Sequence, residues 1–283
     1  MNLHLPNLGV RAAIRTQVVA VFNDRQRGER PVVRSDQALF APRSVIWRVH
    51  GDVGSMMVGG ITSLLLQMLH PSVLAGIWDH SNFREDMHGR LRRTARFIAL
   101  TTYGEREMAQ AAIARVRKVH SAVTGTLPDG TRYVANDPAL LAWVHVTETS
   151  SFLDAWIRYG EPGMSAADQD SYFAEVAVIG EALGASPVPR SRHEATQLIA
   201  NMRGQLRVDD RTRDVARFLL SSPGRQGADA ITDIPRRLAV KAAIDLLPDW
   251  ARSMHGLSVP PLAKPLVRVG TFGVAQTLRW AFR

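Results

Sequence analysis

The sequence predicts an all-α fold, because helical periodicity runs through most of the 283 residues and β-type alternation is scarce. The clearest helix lies between Gly104 and Val123. Its apolar residues recur at three- and four-residue spacings and form one stripe: Ala109, Ala112, Ile113, Val116, Val119 and Val123. With 46% hydrophobic residues, a chain of this length forms a sizeable core. The absence of cysteine excludes disulfides, thiolate-ligated metals and a cysteine nucleophile.

Start and turn signals mark the elements that follow this helix. A β-hairpin is predicted over 124–134, around a Pro-Asp-Gly-Thr turn. Asp137 then supplies an N-cap, proline follows it, and the helix is predicted to run to Gly160. Two capping boxes, each a serine followed three residues later by a carboxylate, open helices near 165–183 and 191–206. Periodicity alone predicts further helices over 10–22, 53–69, 72–79, 86–102, 210–220, 232–246 and 248–255.

We expect the whole chain, 1–283, to form a single domain. Its core covers about 43–256, and a proline-rich extension follows over 257–283. Segment 221–230 is the most linker-like stretch, but the sequence after it is too short to form a core of its own. Gly51, Gly54, Gly59 and Gly60 lie on an apolar helix, where small residues permit close packing.

The charge favours an anionic partner, since 35 Lys and Arg residues outnumber 26 Asp and Glu residues and give a net charge of +9. Nucleic acid, an anionic membrane surface and an anionic cofactor all fit that charge. An arginine excess also arises from genome base composition alone. We expect no nucleic-acid partner, because neither a zinc finger nor a recognition helix is present, and nucleic-acid binding therefore rests on charge alone.

The expected location is cytoplasmic, with peripheral membrane contact as an addition. No signal-peptide pattern opens the sequence, and the most apolar window, 58–69, is shorter than the ~20 residues of a bilayer span. The extension 257–283 mixes basic residues with Trp280 and Phe282. That mixture is typical of a segment on a membrane surface, and it equally fits a last helix docked on the domain.

Histidine is the residue type to consider for metal binding, because nine histidines and no cysteine are present. His120 lies on the apolar stripe, so its imidazole is predicted to point into the core. Arg117 lies within roughly 60° of it around the helix. A buried cation needs an anion, which a haem propionate supplies, and a neutral imidazole is a usual axial ligand of haem iron. The alternative is a core histidine bonded to a backbone carbonyl.

A second group of polar residues opens the helix predicted over 86–102. Arg90, Arg93 and Thr94 occupy the i, i+3 and i+4 positions of one face. Two guanidinium groups and a hydroxyl on one face fit an anion or a polarised oxygen species. They fit a solvated surface as well.

Several motifs follow one another in a fixed order between residues 43 and 160. They are His70-Pro71, Trp78-Asp79-His80-Ser81, Arg90-x2-Arg93-Thr94, Arg117-x2-His120-x2-Val123-x-Gly125, Asp129-Gly130-x2-Tyr133-x-Ala135-x-Asp137-Pro138 and Trp143-Val144-His145. This series resembles the latex-clearing-protein superfamily of haem b oxygenases, also called MpaB-type. That group includes bacterial rubber oxygenases and a membrane-associated fungal oxygenase that cleaves a farnesyl chain.

The resemblance implies a globin-like helical bundle that encloses haem b. It implies that His120 ligates the iron, that Arg117 lies on the same proximal helix, and that Arg90, Arg93 and Thr94 lie on the distal side. The family has lysine where this chain has Arg93. Because arginine does not give up its proton to become a ligand, the sixth iron position is expected to be open or to hold water.

The family's catalytic glutamate, which is proposed to take an allylic proton, has no counterpart between His50 and Phe83. Asp79 is the nearest carboxylate in the corresponding stretch and is the candidate for that role. His145 lies on a mixed helix face, so we expect it to support the site or to bind a propionate rather than the iron. Two other histidines are expected to be structural, namely His80 in a turn and His70 at a helix terminus.

We therefore expect a haem b-dependent oxygenase that uses dioxygen on an apolar, isoprenoid-like substrate. A histidine-ligated haem lacks the thiolate of a P450, so a double bond or an allylic position is the expected point of attack. The alternatives are a haem protein with peroxidase-like or dehydrogenase-like activity, and a basic nucleic-acid-binding protein. Sequence motifs of hydrolases, P-loop enzymes and Rossmann enzymes are absent.

Overall fold

The computed structural model describes residues 5–23, 28–221 and 230–282, and in that part of the chain the all-α prediction is confirmed. The described helices are α1 (Leu5–Phe22), α2 (Val45–His50), α3 (Val53–Gln67), α4 (Pro71–His80), α5 (Met87–Tyr103), α6 (Arg106–Ser121), α7 (Pro138–Tyr159), α8 (Ala166–Leu183), α9 (Arg192–Met202), α10 (Asp210–Ser221), α11 (Ala230–Leu246), α12 (Asp249–Met254) and α13 (Lys264–Phe282). Most of the linker-like segment 221–230 lies outside the described residues. The globin-like arrangement stays a prediction.

One hairpin interrupts the helices, as predicted. Strand β1 (Thr124–Thr126) pairs antiparallel with β2 (Arg132–Val134), and Gly125 lies opposite Tyr133. Gly130 adopts a φ of 89° in the turn between them, a left-handed conformation that glycine takes without steric cost. The hairpin follows directly on α6, so it fixes the end of that helix.

Side-chain caps begin the later helices where the sequence predicts them. Asp137 accepts hydrogen bonds from the N–H groups two and three residues further on, at 2.9 and 3.1 Å. Ser165 and Ser191 each accept the N–H three residues further on, at 3.0 and 3.2 Å. Such caps satisfy donors that the first turn of a helix leaves free. These starts were predictable because each cap depends on neighbouring residues only.

The short helix α2 is not predicted by periodicity. Its six residues are too few to display a helical pattern, and its cap comes from far along the chain. The carboxylate of Glu175 accepts hydrogen bonds from the N–H groups of Val45 at 3.2 Å and Ile46 at 2.7 Å. A side chain of α8 therefore fixes the start of α2.

Helices α3 and α7 form the centre of the molecule and pack closely on each other. Gly59 permits this approach, as predicted, because a Cβ atom there would lie 2.8 Å from the Phe152 ring and from the carbonyl of Ser151. The core around this pair includes Leu65, Trp143 and other buried apolar residues. Any larger residue at position 59 would have to separate the two helices.

The helices α5 to α8 surround the region of the sequence-predicted site. Helix α6 packs against α5 and α8, and α8 packs against α7. On α6, Ala109 and Ile113 are buried, but Val119 is 56% exposed. Val123 lies beyond the end of the helix. The buried stripe of α6 is therefore narrower and shorter than predicted.

The last helix, α13, is docked on the domain, packing against α3, α11 and α1. Its buried face includes Val267 and Thr271. The most apolar helix, α3, is covered by α7, α11 and α13. Among the described residues, no single helix has the length and hydropathy to cross a membrane, and α3 and α4 meet that criterion only as a pair bent by 105°.

Candidate active site

His120 lies in the last turn of α6 and is half-buried. Its Nδ1 atom is buried and has no hydrogen-bond partner in the described part of the chain. Burial lowers the pKa of His120, and the positive charge of Arg90 lowers it further. The imidazole is therefore held neutral, with a nitrogen that the protein itself leaves unpaired. A neutral imidazole is the form that binds a metal.

The cation beside His120 is Arg90 of α5. Its guanidinium donates a hydrogen bond to the hydroxyl of Ser81 at 3.0 Å. Burial and the neighbouring charge of Arg93 lower the pKa of Arg90 to about 10. A desolvated guanidinium that is bonded to a neutral hydroxyl is an unfavourable arrangement until an anion joins it.

The inward orientation expected for Arg117 is wrong. Its side chain is exposed, and its one hydrogen bond to the described residues is long, 3.5 Å, to the carbonyl of Ala182 at the end of α8. The cause is the rotation of roughly 60° that separates Arg117 from His120 around α6. That rotation turns Arg117 from α5 toward α8. A contact between Arg117 and a haem propionate stays a prediction.

The predicted polar face of α5 divides in two. Arg90 is turned inward, whereas Arg93 and Thr94 are exposed. Arg93 forms an ion pair at 3.3 Å with Asp86, the N-cap of α5, and this pair draws it toward the start of the helix. The hydroxyl of Thr94 donates to the carbonyl of Arg90 at 3.2 Å. The three residues thus lie along one side of α5, as predicted, but they differ in exposure, and the distal role of Arg93 and Thr94 stays a prediction.

The end of α4 joins the hairpin to α5. Asp79 accepts a hydrogen bond from the Tyr133 hydroxyl at 2.9 Å and lies 3.8 Å from Arg211. His80 bonds a backbone carbonyl of β1 at 3.0 Å, which agrees with its expected structural role, but it is the last residue of α4 and not a turn residue. The next residue, Ser81, accepts the hydrogen bond from Arg90. Asp79 thus connects three elements and is not an unengaged carboxylate.

His145 is buried on α7, and its Nε2 atom has no partner among the described residues. Desolvation lowers the pKa of His145 to about 4, so the ring is neutral. The ring lies against Gly180 of α8, where a Cβ atom would come within 2.9 Å of Cε1. Arg117 reaches the same turn of α8 through Ala182. The last turn of α8 therefore links His145 on α7 to the helix that carries His120.

Sequence reasoning missed Glu148, one turn beyond His145. The residue is half-buried, and desolvation raises the pKa of its carboxyl group to about 7. The pKa of Tyr172 is raised well above its ordinary value. Burial is the largest cause, and the charge of Glu148 is the second. The available signal was a carboxylate within the apolar stretch of the helix 138–160. We call Arg90, His120, His145 and Glu148 the histidine site: Arg90 acts on His120, Glu148 lies one turn from His145 on α7, and α8 packs against both α6 and α7.

His50 was also missed, and no local pattern could have found it. Its two ring nitrogens bond the Thr102 hydroxyl and the Tyr172 hydroxyl, each at 2.8 Å. These partners are 52 and 122 residues away along the chain. Burial lowers the pKa of His50 to about 3. His50 is thus a fully paired neutral imidazole that joins α2 to α5 and α8.

In the described part of the chain, no three His, Asp or Glu side chains come together as a set of metal ligands. His70 starts α4, as expected, and its ring bonds Gln205 at 3.3 Å. Two open clefts of about 370 and 700 Å³ are lined by other residues: Asp154, Ile157, Arg158, Gln169, Arg192 and Leu246 in one, and 30–37, Arg96, Glu105 and Met108 in the other. The histidine site lies in neither cleft.

Comparison with known protein families gives one match. A family model described as "ER-bound oxygenase mpaB/B'/Rubber oxygenase, catalytic domain" matches residues 47–280. The matched range includes every residue of the histidine site, together with Asp79, Arg93, Thr94 and Arg117. Comparisons with curated proteins and with solved structures found no match.

Proposed function

The chain belongs to the mpaB and rubber oxygenase catalytic-domain family, and from this membership we propose that it is a haem b-dependent oxygenase acting on an apolar, isoprenoid-like substrate with dioxygen. The observation that carries the haem assignment is the buried, unpaired Nδ1 of His120 beside the desolvated guanidinium of Arg90. The two groups suit a cofactor that has both a metal and carboxylates.

The residues of the histidine site fit haem b. A haem brings four nitrogen ligands of its own, so one imidazole, that of His120, is sufficient on the protein side. Arg90 has a hydroxyl but no carboxylate partner in the described residues, and a propionate would supply the missing anion. Arg117 and His145 are further candidates for propionate contacts. The chemistry that haem supplies when bound is activation of dioxygen at its iron.

The other site residues would then orient oxygen and move a proton. Arg93 and Thr94 carry hydrogen-bond donors and do not compete for the iron, because a guanidinium stays protonated. Asp79 is already bonded to Tyr133 and lies near Arg211, so its carboxylate is engaged in structural contacts. Glu148, with a pKa of about 7, is better suited to accept a proton, since an efficient base titrates near the working pH.

The absorption spectrum of the purified protein tests the cofactor assignment. We expect a Soret band that is lost in His120→Ala and kept in His193→Ala, a matched variant of an exposed histidine that bonds Gln197. A wild-type Soret band in His120→Ala, together with its loss in His145→Ala, would assign the ligand to His145 instead. A protein that binds no haem under any condition would overturn the proposal.

Labelled dioxygen tests the reaction. The reduced protein, given ¹⁸O₂ and a prenylated substrate, is expected to place label in the oxidised product. Unlabelled products, formed only when peroxide is added, would replace the oxygenase assignment by a peroxidase-like one. The haem assignment would be unaffected by that result.

A further inference from the structure

An apolar stripe runs along the outer side of α13. It is formed by Leu262, just before the helix, and by Leu266, Val269, Phe272 and Trp280, which are 91%, 75%, 72%, 41% and 38% exposed. Leu266, Val269 and Trp280 lie within about 60° of one another around the helix, at 100° per residue. Large apolar side chains grouped on one exposed face mark a surface that contacts something else.

The opposite side of α13 is fixed to the domain. Val267, Thr271 and Ala275 are buried there. Two ion pairs add to this attachment: Arg268 with Asp245 at 2.8 Å, and Arg279 with Asp52 at 2.6 Å. The docked face and the apolar stripe therefore point in opposite directions, and the stripe stays exposed while the helix remains docked.

The two segments that form the surface around the stripe, α13 with the residues before it and α1, carry positive charges and contain no acidic residue. From residue 250 to residue 283 the sequence has five basic residues and no Asp or Glu, and residues 1–23 also contain neither. Three of the five are paired with carboxylates of other segments: Arg252 with Asp249, Arg268 with Asp245 and Arg279 with Asp52. The charges that this surface offers are therefore those of Arg11, Arg15 and Lys264. The two segments meet, since α1 packs on α13. Arg11 lies over the ring of Trp280 at 5.2 Å, and Arg15 lies over the ring of Phe282 at 5.8 Å.

We propose that the apolar stripe of α13, with the adjoining basic surface of α1, docks on an anionic lipid bilayer. An amphipathic helix with an apolar face, basic residues and an aromatic residue is suited to lie in the headgroup region. Each basic residue near an anionic leaflet adds attraction. Burial of the opposite face lets α13 hold the whole domain at the bilayer, where apolar substrates accumulate.

A second copy of the chain is the other candidate for this surface, and charge disfavours it. A two-fold interface brings the same patch of both copies together. Arg11, Arg15 and Lys264 would then face the same residues of the second copy, and neither helix has a carboxylate to pair with them. A bilayer rich in phosphate groups meets the same charges favourably.

Co-sedimentation with vesicles tests this proposal on the full chain. Binding to phosphatidylcholine vesicles that contain phosphatidylglycerol is expected, with little binding to pure phosphatidylcholine and with weakening as salt rises. Leu266→Asp is expected to reduce binding by about tenfold or more, because it places a carboxylate in the stripe next to anionic lipid. The matched control is Val178→Asp, which changes a 45% exposed residue of α8 and should leave binding unchanged.

Circular dichroism and the absorption spectrum show whether both variants keep the wild-type fold and haem content. Equal vesicle binding by Leu266→Asp and the wild type would overturn the proposal. So would the absence of binding to anionic vesicles. A wild-type dimer that Leu266→Asp converts to a monomer, without vesicle binding, would assign the stripe to self-association instead.

Discussion

Two regions of this molecule pair their buried carboxylates and imidazoles in different ways. At the C-terminal junction, where α13 meets α3 and α11, Asp52 is paired with Arg279, and Asp245 is paired with Arg158 and Arg268.

In the histidine site the two imidazoles are incompletely paired. His120 and His145 each have a buried ring nitrogen that finds no partner in the described part of the chain, and desolvation raises the pKa of Glu148. The contrast concerns carboxylates and imidazoles, since the hydroxyls of Tyr159 and Thr271 at the C-terminal junction are also buried without a partner among the described residues. Burial raises the pKa of Tyr159 to about 12, so its hydroxyl is neutral at working pH.

This difference indicates that the C-terminal junction holds helices together and that the histidine site binds a ligand. A buried charge with a geometrically good partner holds two elements together. Removal of either member leaves the charge of the other buried without compensation. A buried polar group without a partner lowers stability, and it persists where a ligand completes it. The C-terminal junction is therefore expected to respond to mutation through stability, and the histidine site through ligand binding.

The largest expected effect is on folding, at the C-terminal junction. Asp52→Ala removes the partner of Arg279 and also the cap that accepts the N–H of Ser55 at 2.7 Å. We expect the free energy of unfolding to fall by about 3–5 kcal/mol, measured by urea denaturation. The control is Asp210→Ala, which removes a 97% exposed carboxylate paired with Arg213 and is expected to change stability by less than ~1 kcal/mol. Equal effects would remove the distinction between the two kinds of pair.

The next effect is on haem retention, at the histidine site. Arg90→Ala removes the desolvated guanidinium, and a charge-assisted hydrogen bond to a sequestered carboxylate contributes ~1.5–3 kcal/mol, or roughly 10–100-fold in affinity. Arg117→Ala, which changes an exposed residue, is expected to cost ~0–1 kcal/mol. Transfer of haem to an apoprotein acceptor measures both. A larger loss of haem affinity in Arg117→Ala than in Arg90→Ala would assign the propionate contact to Arg117 on α6 instead of Arg90.

The smallest expected effect has the opposite sign and depends on pH. Burial raises the pKa of Glu148 to about 7, so the folded protein favours the protonated carboxyl group. In the unfolded chain this carboxyl group has a pKa near 4.5. As the pH rises from about 4.5 to about 7, the group ionises in the unfolded chain but not in the fold, and the free energy of unfolding falls.

Glu148→Gln removes that ionisation, and we expect it to raise stability by about 1–2 kcal/mol at pH 8 and by much less at pH 4, the side chain being only half-buried. Denaturation at the two pH values measures the difference. A stabilisation that does not depend on pH would contradict the role of desolvation. A loss of turnover in the same variant would support Glu148 as the proton acceptor.

The fold was predictable wherever its determinants are local. The caps at Asp137, Ser165 and Ser191 and the hairpin around Gly130 depend on residues within a few positions, and all four are confirmed. Helix α2 was missed because its cap, Glu175, lies about 130 residues away.

The same limit applies to the candidate site. Periodicity gives the angle between Arg117 and His120 around α6, but it does not say which neighbouring helix occupies that angle. The cation beside His120 therefore came from α5, as Arg90, and not from α6. His50 illustrates the extreme case, because both of its partners are distant in sequence.

Gly180 is a position from which the placement of the His145 imidazole can be changed without changing the chemistry of the ring. The His145 ring occupies the space that a side chain at position 180 would fill, since a Cβ atom there would lie 2.9 Å from the ring. A single methyl group at position 180 would therefore clash with the ring and push it away from α8. It would displace His145 while leaving the chemistry of the ring intact, and it would do so from the same helix turn that Arg117 contacts. The geometry of the histidine site is thus adjustable from a residue that takes no part in binding or proton transfer.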